Sequence, residues 1–276
     1  MPLSSLILSV KDKNKRREMS FQIVPNPEYS ICVTCRNEAK TIRASLDSIL
    51  DQIDDRFEVV VVDSESTDGT LEILREYAER GKIKLIIKKC SRGRGRQIAF
   101  ENSNGEYVIS NLDMDDVIAP KLSKLMEFYH RKCEGKLLLT ISDPQDRGIQ
   151  NVTVAPRLLI LQIGGWRNLQ YGEDWDIWSR AAKIGKYCFT AFNLIEKHGT
   201  HPERQKPLRK LKLRIGKYVD AYRLGRRVVA EGEHVNAVQR LILLLARFMS
   251  LFMESYKDDF NTHFEPYDSS YYIPFS

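Results

Sequence analysis

Three carboxylates lie close together in residues 110–116, whose sequence is Ser-Asn-Leu-Asp-Met-Asp-Asp. The segment follows an apolar run typical of a buried strand, and strand residues two apart point to the same side. Asp113 and Asp115 would therefore leave the sheet together, with Asp116 beside them. Such oxygens suit a hard cation, Mg²⁺ or Mn²⁺, that holds a phosphorylated substrate. A solvated acidic turn has the same composition, so the cluster alone does not decide.

Two further polar clusters follow strand-like runs earlier in the chain. Residues 34–38 are Thr-Cys-Arg-Asn-Glu, and residues 63–70 are Asp-Ser-Glu-Ser-Thr-Asp-Gly-Thr. Ser, Thr and Asp cap helices, which accounts for residues 66–70 without any chemistry. Capping does not account for Asp63, which ends a valine-rich strand where a carboxylate could bind a nucleobase N–H.

Residues 92–96 alternate arginine with glycine. The segment lacks the third glycine of a dinucleotide fingerprint and does not follow the first strand, so a hydride-transfer cofactor is not expected. Arginine forms paired hydrogen bonds to phosphate oxygens, and a flexible turn carrying such groups suits a diphosphate. A solvated basic loop is the structural alternative.

A fourth motif, Gly-Glu-Asp at residues 172–174, begins a predicted helix. Acidic residues in a first helical turn also stabilise the helix through its dipole, so these carboxylates have a purely structural explanation too. His198, further along, could bind a metal or phosphate, although a lone loop histidine is more often simply exposed.

The elements that would position these residues alternate between strands and helices. Short apolar runs give strands and 3.6-residue periodicity gives helices, an order that predicts an α/β fold with a mostly parallel sheet flanked by helices. Ligands of such sheets bind beyond the carboxyl ends of the strands, so one crevice could hold the first three clusters. The pattern predicts helices at 41–53, 71–80, 97–102 and 121–131 and from about 174, and strands at 58–62, 84–88, 107–111 and 136–142.

The four motifs together resemble the inverting family 2 glycosyltransferases of the GT-A fold. The matching segments are residues 31–38, 62–70, 113–116 and 172–174, which occur in the family's order and on the expected elements. The resemblance implies a GT-A, Rossmann-like sheet and transfer of a sugar from a nucleotide-diphosphate sugar of the UDP or GDP type. The acceptor is a hydroxyl group, on a glycan or a lipid-linked molecule, that the sequence does not identify.

The resemblance also implies a role for each matching residue on the donor side. Arg96 would approach the diphosphate, Asp113 would lie by the ribose or the sugar, and Asp115 would bind Mn²⁺ or Mg²⁺. The residues that would line the nucleoside pocket are Thr34, Arg36, Glu38 and Asp63.

On the acceptor side, the resemblance assigns the general base to Asp174, with Glu173 as its neighbour. No acceptor-site feature of the family can be placed in residues 143–170, where the sequence pattern weakens.

Composition and charge fit this class of protein. The chain has 276 residues, a net charge of +6 and five cysteines, an odd number that favours a reducing cytoplasm over a disulfide framework. We expect a leader at 1–28, a GT-A catalytic domain at 29–196 and a basic, amphipathic helical extension at 197–276.

The C-terminal extension contains an apolar helical stripe at residues 238–252, which Arg240 and Arg247 interrupt. The run is too short and too charged for a membrane span. It would pack on the catalytic domain or on another subunit of a homo-oligomer, or lie in an anionic membrane interface. We therefore expect a cytoplasmic protein, with peripheral attachment to the inner face of the cell membrane as the alternative.

Two other functions are compatible with parts of the sequence. A sugar-phosphate nucleotidyltransferase could use the same sheet and acids, but residues 34–40 lack the glycine-rich, lysine-bearing loop of that class. A nucleic-acid-binding protein would use the basic segments. The acids at 113–116 and 173–174 would repel a polyanion, so no nucleic acid partner is expected.

Overall fold

The structure is a computed structural model, and it describes residues 5–13, 16–24, 26–142, 152–198, 207–226, 237–256 and 264–275. The strands are β1 (Ser5–Lys13), β2 (Arg16–Val24), β3 (Tyr29–Cys35), β4 (Phe57–Asp63), β5 (Lys84–Ile87), β6 (Tyr107–Ser110), β7 (Asp116–Ile118), β8 (Leu137–Ile141), β9 (Val152–Pro156), β10 (Tyr187–Ala191) and β11 (Ile195–His198). The helices are α1 (Ile42–Leu50), α2 (Thr70–Glu79), α3 (Arg92–Glu101), α4 (Leu122–Lys132), α5 (Arg157–Gln162), α6 (Glu173–Lys183), α7 (Pro207–Arg223) and α8 (Ala237–Ser250).

The central sheet has seven strands among the described residues, in the order β10, β8, β9, β6, β3, β4, β5. Strand β9 is antiparallel to both of its neighbours, and the other neighbouring pairs are parallel. The expected α/β fold with a mostly parallel sheet is confirmed.

Both faces of the sheet are buried, as the valines of β4 show. Val59 and Val61 belong to one core cluster, with side chains of α1, α2 and α4, while Val60 and Val62 belong to another, with side chains of α3 and α6. Successive strand residues point to opposite faces, so a continuous apolar run is required where helices cover both. The helices on the two faces and the sheet between them form three layers. A ligand can therefore reach the sheet only at the ends of its strands or at its edge strands.

A second, two-stranded sheet extends from the acidic motif. Strand β7 pairs antiparallel with β11, and the register places Asp116 opposite His198. Asp116 has a side chain that is 7% exposed. Strand β6 thus fixes the chain before the acidic residues, and β7, which begins at Asp116, fixes the last of them.

The structure contains elements that the sequence did not predict. β9 and α5 occupy part of residues 143–170, and they were missed because five-residue and six-residue elements show too little periodicity. Strands β1 and β2 pair with each other inside the expected leader. The domain boundaries expected after residues 28 and 196 stay a prediction.

The last described residues pack on the sheet. Ile273 N donates to Phe189 O at 2.9 Å, and Thr190 Oγ1 donates to Ile273 O at 2.6 Å. Phe264 is 4% exposed and belongs to the core cluster that contains the α6 side chains. The chain therefore returns to the sheet after α7 and α8, which makes those two helices an insertion between core segments.

Within the described residues, no helix combines the length and hydropathy that crossing a bilayer requires.

Candidate functional site

A cavity of about 470 Å³ lies beyond the carboxyl ends of β3, β4 and β6. All three polar clusters contribute to its wall, so the crevice expected from the parallel sheet exists. The loop before α6 and the start of α7 complete it. Its lining residues are Thr34, Cys35, Arg36, Glu38, Ser64, Cys90, Ser91, Arg92, Asp113, Met114, Asp115, Gln170, Tyr171, Arg209, Lys212 and Leu213.

Hydrogen bonds join the loop after β3 to the loop after β4. Asn37 N donates to Ser66 Oγ at 2.8 Å, and Thr67 N donates to Asn37 Oδ1 at 2.9 Å. Ala39 N donates to Asp68 Oδ2 at 3.1 Å. The small polar residues of both motifs therefore hold the two loops together. Thr34, Arg36 and Glu38, predicted at the nucleoside pocket, all lie on the cavity wall as a result.

Asp63 lies behind the wall rather than on it. Its carboxylate is fully buried, and Oδ1 accepts a hydrogen bond from Ser66 N at 2.9 Å. Cys35 Sγ donates to its other oxygen at 3.8 Å, and burial together with this carboxylate raises the pKa of the thiol. The neighbouring Ser64 lines the cavity instead. The structure thus gives Asp63 a role in shaping the loop, and its contact with a nucleobase stays a prediction.

The three acids of the central motif lie together at the cavity. Asp113, Asp115 and Asp116 each offer an oxygen, and these oxygens are within 4.8 Å of one another. Asp113 and Asp115 line the cavity, and Asp116 is buried in β7. Asn111, just before them, adopts a left-handed conformation with φ of 68°, which turns the chain sharply out of β6. Three carboxylate oxygens at this spacing fit Mg²⁺ or Mn²⁺, both of which prefer oxygen ligands.

The arginine-glycine segment is the first turn of α3, not the flexible turn that we expected. Ser91 caps the helix, accepting a hydrogen bond from Arg94 N at 3.2 Å. The glycines are required for close packing: a Cβ at Gly95 would overlap the Thr34 hydroxyl, and a Cβ at Gly93 would overlap the backbone oxygen of Arg167. The positive end of the α3 dipole consequently lies at the cavity wall, where it attracts anions.

Arg92, rather than the predicted Arg96, reaches the cavity. Its side chain is 42% exposed, and its Nε lies 3.8 Å from Glu173 Oε1. Burial acts to lower the pKa of Arg92, but the carboxylates of Glu173, Asp113 and Asp115 outweigh it and raise that pKa. Arg92 is therefore a cation in the same cavity as the acidic cluster, close enough to interact with its charge.

Arg96 binds the two acids at the start of α6. Its side chain is 4% exposed, and its Nη1 donates to Glu173 Oε1 at 3.0 Å and also to Asp174 Oδ1. Burial lowers the pKa of Arg96, and the attraction of Glu173 opposes this shift. An arginine stays charged despite such shifts, so this is a buried ion pair. A contact between Arg96 and a diphosphate stays a prediction, and no lining position supports it.

Glu173 and Asp174 lie next to the cavity without lining it. Gly172, with φ of 79°, precedes α6, and the side chains of Glu173 and Asp174 are 1% and 22% exposed. Glu173 contacts both Arg92 and Arg96, while Asp174 keeps partial access to solvent. The assignment of Asp174 as a base stays a prediction, and Arg96 fixes the orientation of its carboxylate.

Helix α7 contributes residues that the sequence did not assign to the site. Asp220 Oδ2 accepts hydrogen bonds from Gln170 N and Tyr171 N, both at 2.8 Å. Asp220 is itself buried and bonded to Arg223 Nη1 at 2.8 Å. The wall that Gln170 and Tyr171 form is thus held by α7, about fifty residues further along the chain. The sequence did not assign Arg92, Gln170, Tyr171, Arg209 or Lys212 to the site. The arginine-glycine motif was a signal for Arg92 and the basic charge of the α7 segment was one for Arg209 and Lys212, whereas Gln170 and Tyr171 had no signal.

Comparison with known proteins identifies the class. Residues 30–152 match the model of the family "Glycosyl transferase family 2". EpsE of Bacillus subtilis is 27% identical over 201 residues, which cover 62% of this chain and 71% of EpsE. The poly(ribitol-phosphate) beta-N-acetylglucosaminyltransferase TarS of Staphylococcus aureus is 32% identical over 130 residues, which cover 44% of this chain but only 22% of TarS.

Solved structures share the fold. The mannosyltransferase PcManGT from Pyrobaculum calidifontis, solved with GDP-Man and Mn²⁺, aligns with a TM-score of 0.54 and 21% identity over 82% of this chain and 71% of that chain. TarS 1–349 in complex with UDP aligns with a TM-score of 0.52 and 21% identity over 78% of this chain and 69% of that chain. The segment 30–152 is therefore similar to glycosyltransferase family 2, a family of enzymes, and the chain has the GT-A fold of these solved structures, as the four motifs predicted.

The packing of α3 predicts an unusual result for Gly93→Ala. Alanine favours a helix over glycine by about 1 kcal/mol, so propensity alone would stabilise the variant. We expect the opposite, a loss of about 1–3 kcal/mol in the free energy of unfolding, because the new methyl would overlap Arg167 O. Urea unfolding measures the difference.

Arg94→Ala is the matched control for this prediction. Arg94 lies next to Gly93 in the same helical turn, but its side chain is 46% exposed and pairs with Glu101 on the surface. Removing such a pair costs less than about 1 kcal/mol. A Gly93→Ala variant as stable as the wild type would contradict the packing described for α3.

Proposed function

We propose that this protein is an inverting, metal-dependent glycosyltransferase that moves a sugar from a UDP- or GDP-type nucleotide-diphosphate sugar to an acceptor hydroxyl. The observation that carries the proposal is that one cavity combines carboxylates with a cation. Asp113, Asp115 and Arg92, the first residue of α3, all line it. A diphosphate bridged by a divalent cation needs both kinds of partner.

The donor would lie across the strand ends. Thr34, Arg36 and Glu38 provide polar contacts for the nucleoside. The Arg92 guanidinium and the positive end of the α3 dipole provide the diphosphate site, the role that the resemblance implied for Arg96. Asp113 would then lie by the ribose or the transferred sugar.

The acidic cluster fits a divalent cation by the chemistry of its donors. Asp115 would hold Mn²⁺ or Mg²⁺, with Asp113 and Asp116 close enough to share in binding or to orient the site. When bound, such an ion would neutralise the negative charge that develops on the leaving diphosphate.

Asp174 would take the proton of the acceptor hydroxyl. The acceptor oxygen forms a bond to the anomeric carbon from the face opposite the diphosphate, and the bond from that carbon to the diphosphate oxygen breaks with its electron pair. Configuration is thereby inverted. Arg96 holds Asp174 Oδ1, which orients the second carboxylate oxygen for the proton. Arg92 stabilises the charge on the departing diphosphate.

The ligands of solved structures with this fold support a nucleotide-sugar donor. TarS 1–349 was solved with UDP and with UDP-GlcNAc, and PcManGT with GDP-Man and Mn²⁺. These ligands belong to those proteins, which share about a fifth of their residues with this chain. The choice between UDP and GDP therefore rests with binding measurements on this protein.

Arg92→Ala should weaken binding of UDP or GDP selectively. Losing a charged hydrogen bond to the diphosphate costs about 1.5–3 kcal/mol, which is roughly a tenfold to hundredfold rise in Kd. Binding of the matching nucleoside should change little, because the nucleoside wall is formed by the loops after β3 and β4. Isothermal titration calorimetry with each ligand separates the two effects.

Arg94→Ala is again the matched control, since Arg94 carries the same charge on the same helical turn and does not line the cavity. It should bind the nucleoside diphosphate as the wild type does. Equal loss of affinity in both variants would show that only the general positive charge of α3 matters, and would contradict the diphosphate site.

Asp174→Asn should lower turnover by about a hundredfold to ten-thousandfold, the usual contribution of a general base. Donor binding should persist, because Asp174 does not line the cavity. Release of UDP or GDP from candidate sugar donors in the presence of acceptor measures turnover. Asp55→Asn, an exposed acid after α1, is the control and should be fully active. Unchanged turnover in Asp174→Asn would rule out this base.

A further inference from the structure

Helix α8 exposes a stripe of large apolar side chains. Five of them repeat at intervals of three and four residues; four of these lie along one face of the helix, and the fifth continues the spacing in the turn that follows α8. Their exposed fractions are 44–76%, far above those of core residues. We call this set the α8 stripe; it consists of Val238, Leu241, Leu245, Phe248 and Phe252.

A neighbouring face of α8 is packed on the protein. Ile242 and Ala246, one turn apart, are 7% and 0% exposed. Helix α8 contacts α7, and the segment after it returns to the end of α7, where Arg223 Nε donates to Glu254 O at 2.8 Å. The helix is thus docked by one face, and the α8 stripe is left uncovered by the described residues although the helix itself is held in place.

The charged side chains exposed on α7 and α8 are all basic. The α8 sequence contains no Asp or Glu, and the only acid of α7 is the buried Asp220. The exposed cations are Arg209, Lys210, Lys212, Arg214, Lys217, Arg240 and Arg247. The exposed surface of the two helices therefore combines apolar area with charge of one sign.

The first half of α7 has the same mixed character. Leu208 and Leu211 are 76% and 40% exposed and alternate with the basic residues. Arg209 and Lys212 of this helix also line the cavity. The apolar and basic surface therefore begins at the rim of the cavity.

We propose that the α7–α8 surface, meaning the α8 stripe with the exposed leucines and cations of both helices, binds an anionic lipid bilayer. A helix with a wide apolar face and basic flanks lies in the plane of the interface, with the apolar side chains among the acyl chains and the cations at anionic headgroups.

A second copy of the chain could cover the α8 stripe instead, because intervals of three and four residues also suit packing between two helices. The charges on α8 disfavour such a dimer. Two copies joined through the α8 stripe would bring Arg240 and Arg247 of each near those of the other, and α8 offers no acid to pair with them. An anionic surface complements this charge.

Bilayer binding would place the rim of the cavity at the membrane surface, because Arg209 and Lys212 line the cavity and also belong to the α7–α8 surface. On the proposed function, this arrangement selects an acceptor hydroxyl carried by a membrane-anchored molecule. Vesicle binding itself does not depend on the transferase proposal, so the two can fail separately.

Vesicle flotation of the purified full chain tests the proposal. We expect binding to phosphatidylcholine vesicles that contain phosphatidylglycerol, weaker binding to phosphatidylcholine alone, and release as salt is raised, because the cations act through screened charge. Equal binding to neutral and anionic vesicles, or no binding to either, would overturn it.

Two double variants identify the surface. Leu241→Ser with Phe248→Ser should lower the partition coefficient at least tenfold, since both side chains lose apolar burial in the bilayer. Lys210→Ser with Arg214→Ser should lower it by about fivefold for each cation on anionic vesicles. Neither pair lines the cavity, so nucleotide binding should be unchanged, and far-ultraviolet circular dichroism checks the fold.

Leu158→Ser with Leu161→Ser is the matched control, because these α5 leucines are 78% and 58% exposed but lie outside the α7–α8 surface. It should bind vesicles as the wild type does. Equal loss in the control would overturn the assignment of the surface. Light scattering measures whether a second copy of the chain occupies the surface instead. The proposal would be overturned if the wild type were a dimer, if the Leu241→Ser, Phe248→Ser variant were a monomer, and if neither protein bound vesicles.

Discussion

The junction between α3 and the start of α6 is the contact on which the site depends. Gly93 N donates to Leu169 O at 2.9 Å, and the absence of a side chain at Gly93 lets the two backbones approach. One turn further along, Arg96 binds both Glu173 and Asp174. This single junction sets the position of Arg92 at the cavity and of Asp174 beside it. Removing Glu173 or Asp174 would leave the buried guanidinium of Arg96 with less negative charge beside it, and this would lower the free energy of unfolding.

Much of the fold and of the site followed from local sequence. The valines of β4 predicted a strand buried on both faces, and both faces are indeed covered. Asp113 and Asp115 were expected to leave the sheet together, and both line the cavity. These predictions succeeded because a strand's periodicity and a parallel sheet's geometry place motif residues at one edge without any knowledge of distant contacts.

Local sequence does not determine how deeply a side chain is buried or which distant residues it contacts. Arg92 and Arg96 are one helical turn apart and share a face, so sequence could not tell which reaches the cavity and which reaches α6. The structure places the first at the helix end and the second against buried acids. The wall formed by Tyr171 depends on Asp220, a long-range contact with no local pattern. The Asp63 carboxylate accepts hydrogen bonds from Ser66 and from Cys35 of β3, which its motif did not predict, and its contact with a nucleobase stays a prediction.

The cavity should bind a nucleoside diphosphate together with a cation on Asp115. Calorimetric titration of UDP and GDP into the wild type and into Asp115→Asn, each with and without Mn²⁺, measures this directly. We expect Mn²⁺ to tighten binding of one of the two nucleotides in the wild type and this gain to disappear in Asp115→Asn, while an Asp55→Asn control retains it. Wild-type binding that is equally tight with and without Mn²⁺, or absent for both nucleotides, would show that Asp115 holds no cation with the nucleotide in this cavity.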